Sequence, residues 1–394
     1  MANIVFFVIP AHGHTNPTLG LVRALIANGH HVDYYSYDEF KDKIEASGAT
    51  YHSCNKYDIS FNLSPEDGER ISTDLVFSTK ILVDTTLAFD DILIDEFKSE
   101  RPDLIIADSM AIWGKAIAYK LNIPFISSTT TFAINNNVSK LMDQNLSDLF
   151  TGIKAMFKTK KDIKRLQAKG YPFNNVLDII TNKTDTETIA YTSKFFQPYA
   201  QEFGESYSFI GPSIRPVSEE FIKKADKLIY ISLGTVVNKQ PDFYQKCIDA
   251  FKDSDYQVVL SVGDLINTQS LNNPSSNIEI YHHVDQMAIL TKTDVFISHC
   301  GMNSASESLY FKVPLICVPQ TKEQSLVANR VVELKAGLRL KELSVKEIKT
   351  LSDMILNDKT YQENAITISD SFKASGGVEL AVERIEKYIK QARA

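Results

Sequence analysis

The stretch His299-Cys300-Gly301-Met302-Asn303-Ser304-Ala305-Ser306-Glu307 combines the ingredients of a phosphate site with a place to present them. Just before it, Asp294 to Ser298 reads as a short apolar strand, and Asn303 to Phe311 has helix-forming composition. A loop feeding a helix N-terminus gathers unpaired backbone N–H groups and the positive end of the helix dipole. Gly301 admits close backbone approach to an anion and Ser304 adds a hydroxyl donor, so a diphosphate suits this turn. Asn303 and Glu307 stand four apart and share one helix face. A second constellation, Pro10-Ala11-His12-Gly13-His14-Thr15-Asn16-Pro17, puts two imidazoles at the end of an apolar run. An imidazole, with an unperturbed pKa of about 6.5, accepts protons near neutrality. By spacing alone, two such histidines more often just end a strand beside a helix cap.

Strand and helix alternate along both halves, the pattern of parallel sheets covered by helices on both faces. Asn3 to Ile9 reads as the first strand. Asn16 can cap a helix with Pro17 at its first position, Asn28-Gly29 closes it, and His31 to Ser36 is the next strand. Strands are also expected at Asp103 to Ala107 and Pro124 to Ser128, around a helix near Ala111 to Leu121. Gly211 to Ser218, rich in breakers, reads as a linker. Beyond it come a strand at Leu228 to Leu233, the turn Gly234-Thr235, a helix near Asp242 to Lys252 and a strand at Tyr256 to Val262. The expected division is therefore 1–211, a linker 212–224, a second domain 225–374 and an amphipathic terminal helix in 375–394. Two such sheets are expected to bind ligands outside the carboxyl ends of their strands, with both special loops facing one cleft.

Composition is consistent with an ordinary globular chain. With 394 residues, two cores are expected. A net charge of −7 argues against nucleic acid as a partner. Cys54, Cys247, Cys300 and Cys317 form no disulfide framework or zinc spacing, which points to a reducing compartment. No apolar run is long enough for a spanning helix, and the N-terminal run lacks a basic leader, so a cytoplasmic protein is expected, monomeric by default. Lys154 to Lys169 is a dense basic run with interleaved apolar residues, read as a solvated helix face rather than a membrane-docking surface.

Residues 281–339, YHHVDQMAILTKTDVFISHCGMNSASESLYFKVPLICVPQTKEQSLVANRVVELKAGLR, resemble the nucleotide-sugar signature of the UDP-dependent glycosyltransferase superfamily, and within it the bacterial macrolide-type branch. The resemblance implies a GT-B fold: α/β, two Rossmann-like parallel-sheet domains facing a central cleft, with the last helix crossing back to the first domain. It implies that His14 is a general base and that Asp108, at the end of Pro102 to Asp108, orients it. Alone, Asp108 reads equally as a helix cap. His299, Gly301, Asn303 and Ser304 fall in the segment that holds the diphosphate in relatives, Glu307 where they bond the ribose, and Glu323-Gln324 where they grip sugar hydroxyls. Thr235 and Gly263 match strand ends that contact phosphate and base. His283 stands where many relatives stack Trp on uracil, and Asp285 where many have Pro. Phe61 and Phe132 fall in segments that border the acceptor, although core packing explains them as well.

The resemblance thus implies an inverting, metal-independent transfer of a hexose, glucose from UDP-glucose, to a hydroxyl of a small apolar acceptor such as a macrolide or flavonoid. The UDP-sugar is a co-substrate and no other cofactor is expected; the adjacent His282 and His283 lack further ligands for a metal. A nucleotide-sugar binding protein without turnover is the alternative, set against the presence of both His14 and Asp108. A nicotinamide oxidoreductase lacks its GxGxxG after the first strand, and an epimerase would need no acceptor.

Overall fold

A computed structural model describes the chain except residues 56–69, 71–73, 142–157, 181, 183–184, 235–237 and 394. It divides into two compact units, one containing most of residues 1–213 together with Ser375–Ala394, the other containing Ile214–Ala374.

The first unit is built on a seven-stranded parallel sheet in the order β3-β2-β1-β4-β5-β6-β7. Its strands are β1 (Asn3–Phe7), β2 (His31–Ser36), β3 (Thr50–Ser53), β4 (Leu104–Asp108), β5 (Phe125–Thr129), β6 (Thr188–Ala190) and β7 (Tyr207–Phe209). The central runs NIVFF and LIIAD are apolar almost throughout because helices cover both faces, and every residue of β4 is buried. The helix Ile112–Leu121 lies hard against the sheet at Gly114, where a Cβ would come within 2.5 Å of the Ala107 side chain and 3.0 Å of the Phe7 ring. Close packing there fixes the turn between Asp108 and the helix.

The opening helix differs from expectation. It spans His12–Ala27, with Pro17 inside it rather than at its first position. Ala11 is extended, and its carbonyl accepts from the backbone N–H of His14 (3.0 Å) and Thr15 (2.9 Å), so winding begins before Asn16 can act as a cap. His14 consequently sits in the first helical turn. The terminal helix Gly377–Arg393 packs in this same unit, burying Ala381, Val382, Ile385 and Ile389, while Arg393 pairs with Asp103 at 2.7 Å. Of the basic run, residues 158–169 are described; Ile163 and Leu166 are buried, and Arg165 and Lys169 pair with Asp84 and Asp91.

The second unit carries a six-stranded parallel sheet in the order β10-β9-β8-β11-β12-β13. Its strands are β8 (Leu228–Ser232), β9 (Gln257–Ser261), β10 (Ile278–Tyr281), β11 (Val295–Ser298), β12 (Leu315–Cys317) and β13 (Gly337–Arg339). Ile229, Ile231, Val258, Leu260, Val295 and Ile297 form the core of one face. On the other, Tyr230 stacks on Phe296 with ring centroids 4.7 Å apart. Among the described residues, no helix is long and apolar enough to cross a membrane.

Each strand order reverses direction once, between β1 and β4 in the first sheet and between β8 and β11 in the second. At such a switch point the segments leaving neighbouring strands diverge and open a crevice for a ligand.

Candidate active site

At the first switch point β1 and β4 run side by side, with Phe7 opposite Ala107. The chain leaving β1 turns into the helix that carries His14, and β4 ends on Asp108 itself. Nδ1 of His14 lies 2.8 Å from Oδ2 of Asp108. The other carboxylate oxygen accepts the backbone N–H of Met110 at 2.8 Å. The Asp108 side chain is 0% exposed and that of His14 18%. An ionised carboxylate can only accept, so the hydrogen is assigned to Nδ1 and the acceptor lone pair to Nε2. Thr130, which sequence reasoning missed, places Oγ1 3.0 Å from the same Nδ1. It lies just beyond β5, whose Ser128 is the register partner of Asp108.

His12 belongs elsewhere. It lies 3.4 Å from both Glu39 and Lys43 and edge-on to Phe40, and burial together with Lys43 lowers its pKa.

At the second switch point Ser232 on β8 is opposite Ser298 on β11. His299 follows, and its imidazole is flanked by two glycines. A Cβ at Gly234 would stand 2.6 Å from Cε1, and one at Gly301 2.6 Å from Nε2. Gly301 is therefore required first to make room for a ring, a constraint that sequence spacing did not reveal. Gly234 carries the additional constraint of φ +76°. Burial pulls the His299 pKa down to about 4, against the opposing pull of the Ser232 backbone, so the ring is neutral at physiological pH. Cys300 adopts φ 61°, in the left-handed region that disfavours side chains.

The helix Met302–Tyr310 starts here, capped by Gly301 with no side-chain cap bond. Its first-turn amides are thus not taken up by a capping side chain. Asn303, Ser304 and Glu307 lie on its first turns, partly exposed. The Gln286 amide donates from Nε2 to the Glu307 carboxylate and, at 3.4 Å, to Ser304 Oγ. Burial pushes the Glu307 carboxyl up to about 7; Gln286 and Arg215 oppose this and Asp285 adds to it.

Comparisons with known proteins bear on these switch points. Residues 213–386 match the family described as UDP-glucoronosyl and UDP-glucosyl transferase. Over 392 residues the chain is 34% identical to the NDP-glycosyltransferase YjiC of Bacillus subtilis (strain 168), spanning 98% of this chain and 96% of that one. The chain belongs to this glycosyltransferase family. It is also 26% identical to the oleandomycin glycosyltransferase of Streptomyces antibioticus, across 98% of this chain and 90% of that protein. Its fold is GT-B. It superposes on CalG4, the calicheamicin glycosyltransferase, with a TM-score of 0.81 at 24% identity over 100% of both chains.

The remaining residues singled out from the sequence of this glycosyltransferase fall as follows. Gly263 has φ +72°, and a Cβ there would strike the Asn238 amide, which itself donates to the Gly234 carbonyl at 3.0 Å. The loops after β9 and β10 are laced together. Gly263 N–H donates to the His282 carbonyl at 2.9 Å, and Nε2 of His283 is 2.9 Å from both oxygens of Asp264. His283 is thus an exposed ring already held by a carboxylate. Asp285, in place of the Pro of many relatives, caps the helix Gln286–Leu290 through Met287 N–H at 3.0 Å and Ala288 N–H at 3.4 Å.

Glu323 and Gln324 lie in the first turn of the helix Lys322–Glu333, capped by Thr321. Gln324 accepts the Gln320 N–H at 2.8 Å, so its carbonyl serves the helix start. Phe132 is 1% exposed and packs on Phe196, with ring centroids 5.3 Å apart. Phe61 and Thr235 lie outside the described residues.

Proposed function

We propose that this glycosyltransferase moves a hexose, glucose from UDP-glucose, onto a hydroxyl of a small apolar acceptor such as a macrolide or flavonoid, with inversion at the anomeric carbon. The observation that carries this reading is the 2.8 Å contact between His14 and the buried Asp108, which leaves Nε2 as the basic nitrogen. In this reading Nε2 takes the acceptor proton as the alcohol oxygen bonds to the anomeric carbon. The bond from that carbon to the diphosphate breaks on the opposite face, and UDP leaves with the electron pair. The imidazolium formed is stabilised by Asp108, as in a triad. One base acting opposite the leaving group gives inversion.

The diphosphate would rest on the amides that open the helix Met302–Tyr310, with Asn303, Ser304 and His299 as further donors and Glu307 toward the ribose. Because the His299 ring is neutral, the leaving-group charge would be offset by the helix dipole and by hydrogen bonds rather than by a cationic imidazole. No divalent cation enters this scheme. The acceptor class is supported by a relative named for oleandomycin transfer. The test is product analysis by mass spectrometry with UDP-glucose, other UDP-sugars and a mixed panel of phenolic and macrolide acceptors, with and without EDTA. Glucoside formation unaffected by EDTA is expected. Hydrolysis or epimerisation of the UDP-sugar without any acceptor glucoside would contradict the reading.

A further inference from the structure

Tyr230 lies one layer behind the Glu307 carboxylate and has no role in the scheme above. It is 1% exposed, on β8, with its ring stacked on Phe296. Its hydroxyl approaches Gln286 Oε1 at 3.3 Å, while the other end of that amide, Nε2, faces Glu307 and Ser304. Ser232 and Ser261 also act on this phenol, drawing its pKa down against the larger effect of burial. They are register partners on β8 and β9, and Ser232 shares a strand face with Tyr230. An amide oxygen only accepts, so the phenol donates its hydrogen to Gln286 Oε1. Burial pushes the phenol pKa up, so it remains a donor across the working pH range.

A primary amide has an accepting and a donating end of nearly the same shape, and only its surroundings decide which way it points. Turned over, Gln286 would aim its carbonyl oxygen at the Glu307 carboxylate, setting acceptor against acceptor. We propose that Tyr230 is a positioning residue for nucleotide binding: its phenol fixes the orientation of the Gln286 amide, and that amide holds Glu307 as a carboxylate ready to accept the ribose hydroxyls. This inference rests on the reading of Glu307 given above. The charged and titratable groups acting on Glu307 are Arg215, which favours its ionisation, and Asp285, which opposes it; Gln286 is the neutral donor. Because burial works against the charge on Glu307, loss of the oriented amide shifts the site toward the protonated acid. The acid accepts fewer ribose hydroxyls than the carboxylate does.

The experiment is calorimetric titration of the full chain with UDP between pH 6 and 9, on the wild type, Tyr230→Phe, Glu307→Gln and the double variant. Tyr230→Phe keeps the ring and its stack, and thermal unfolding checks that it is folded. Wild-type affinity is expected to strengthen as pH rises through about 7. In Tyr230→Phe that rise moves to higher pH, with UDP bound about 3- to 10-fold more weakly at pH 7 and near wild-type affinity at pH 9. In the Glu307→Gln background the Tyr230→Phe change is expected to have no further effect. An unshifted profile in Tyr230→Phe, or an equal loss in the Glu307→Gln background, overturns the inference. A wild type that binds no UDP at any pH instead overturns the reading of the nucleotide site itself.

Discussion

Nδ1 of His14 and Oδ2 of Asp108 stand 2.8 Å apart, although 94 positions separate the two residues in the chain. They meet because β1 and β4, far apart in sequence, are neighbours in the sheet and both end at its switch point. The carboxylate, tied also to Met110 N–H, fixes which imidazole nitrogen carries the hydrogen. Asp108→Asn keeps the shape but offers an amide that can turn its NH2 toward Nδ1, favouring the wrong tautomer. Turnover is expected to fall by about 10²- to 10⁴-fold while UDP affinity stays within about twofold of wild type. Steady-state kinetics beside calorimetry on the same preparation separates the two.

Thr130 is the second oxygen beside that nitrogen, at 3.0 Å. Thr130→Val retains the branched shape and removes the hydroxyl. A kcat loss of about 3- to 10-fold with unchanged UDP affinity is expected, smaller than that of Asp108→Asn because one neutral hydrogen bond is at stake. A loss equal to that of Asp108→Asn would show that Thr130 does more than steady the ring.

Much of this could be read from the chain, and the misses have physical causes. Buried parallel strands are apolar on both faces, so β1, β4, β8 and β11 stood out, and a turn feeding a helix identified the 299–307 loop. The start of the first helix was misplaced because Asn16-Pro17 has the composition of a cap, whereas the extended Ala11 already offers its carbonyl to His14 and Thr15. Thr130 was not legible, since its meeting with His14 depends on strand order rather than on spacing. Gly301 read as room for an anion and Gly234 as part of a turn, but the imidazole wedged between them is a matter of packing.

That wedge makes a direct prediction. Gly301→Ala introduces a methyl 2.6 Å from His299 Nε2, and Gly234→Ala one 2.6 Å from Cε1 together with a strained positive φ. Both are expected to lower stability by about 1–3 kcal/mol and to weaken UDP binding, Gly234→Ala the more in stability because it adds backbone strain to the clash. Chemical denaturation and UDP titration measure the two effects. Unchanged behaviour of Gly234→Ala would mean that the ring is not confined as described.

The pH dependence of stability carries two opposing contributions. His299, lowered to about 4, binds a proton in the unfolded chain before the folded one, so its contribution is present above about 6.5 and is lost as pH falls toward 4. Glu307, raised to about 7, binds its proton first in the folded chain, so its contribution is present below about 4.5 and is lost as pH rises through 7. Between about 4.5 and 6.5 the two nearly cancel. His299→Gln should therefore gain stability relative to wild type on acidification through that window, and Glu307→Gln should lose it. Denaturant titrations at pH 4.5, 5.5 and 6.5 give the slopes; the same slope in both variants would refute the assignment.

The central claim is that His14 deprotonates an acceptor alcohol while UDP departs from the sugar. The most direct measurement is glucoside formation from UDP-glucose and a panel of phenolic acceptors by His14→Ala, with UDP affinity measured on the same protein. The account predicts that the variant binds UDP as the wild type does and forms glucoside at least about 10²-fold more slowly. Undiminished turnover by His14→Ala would contradict it.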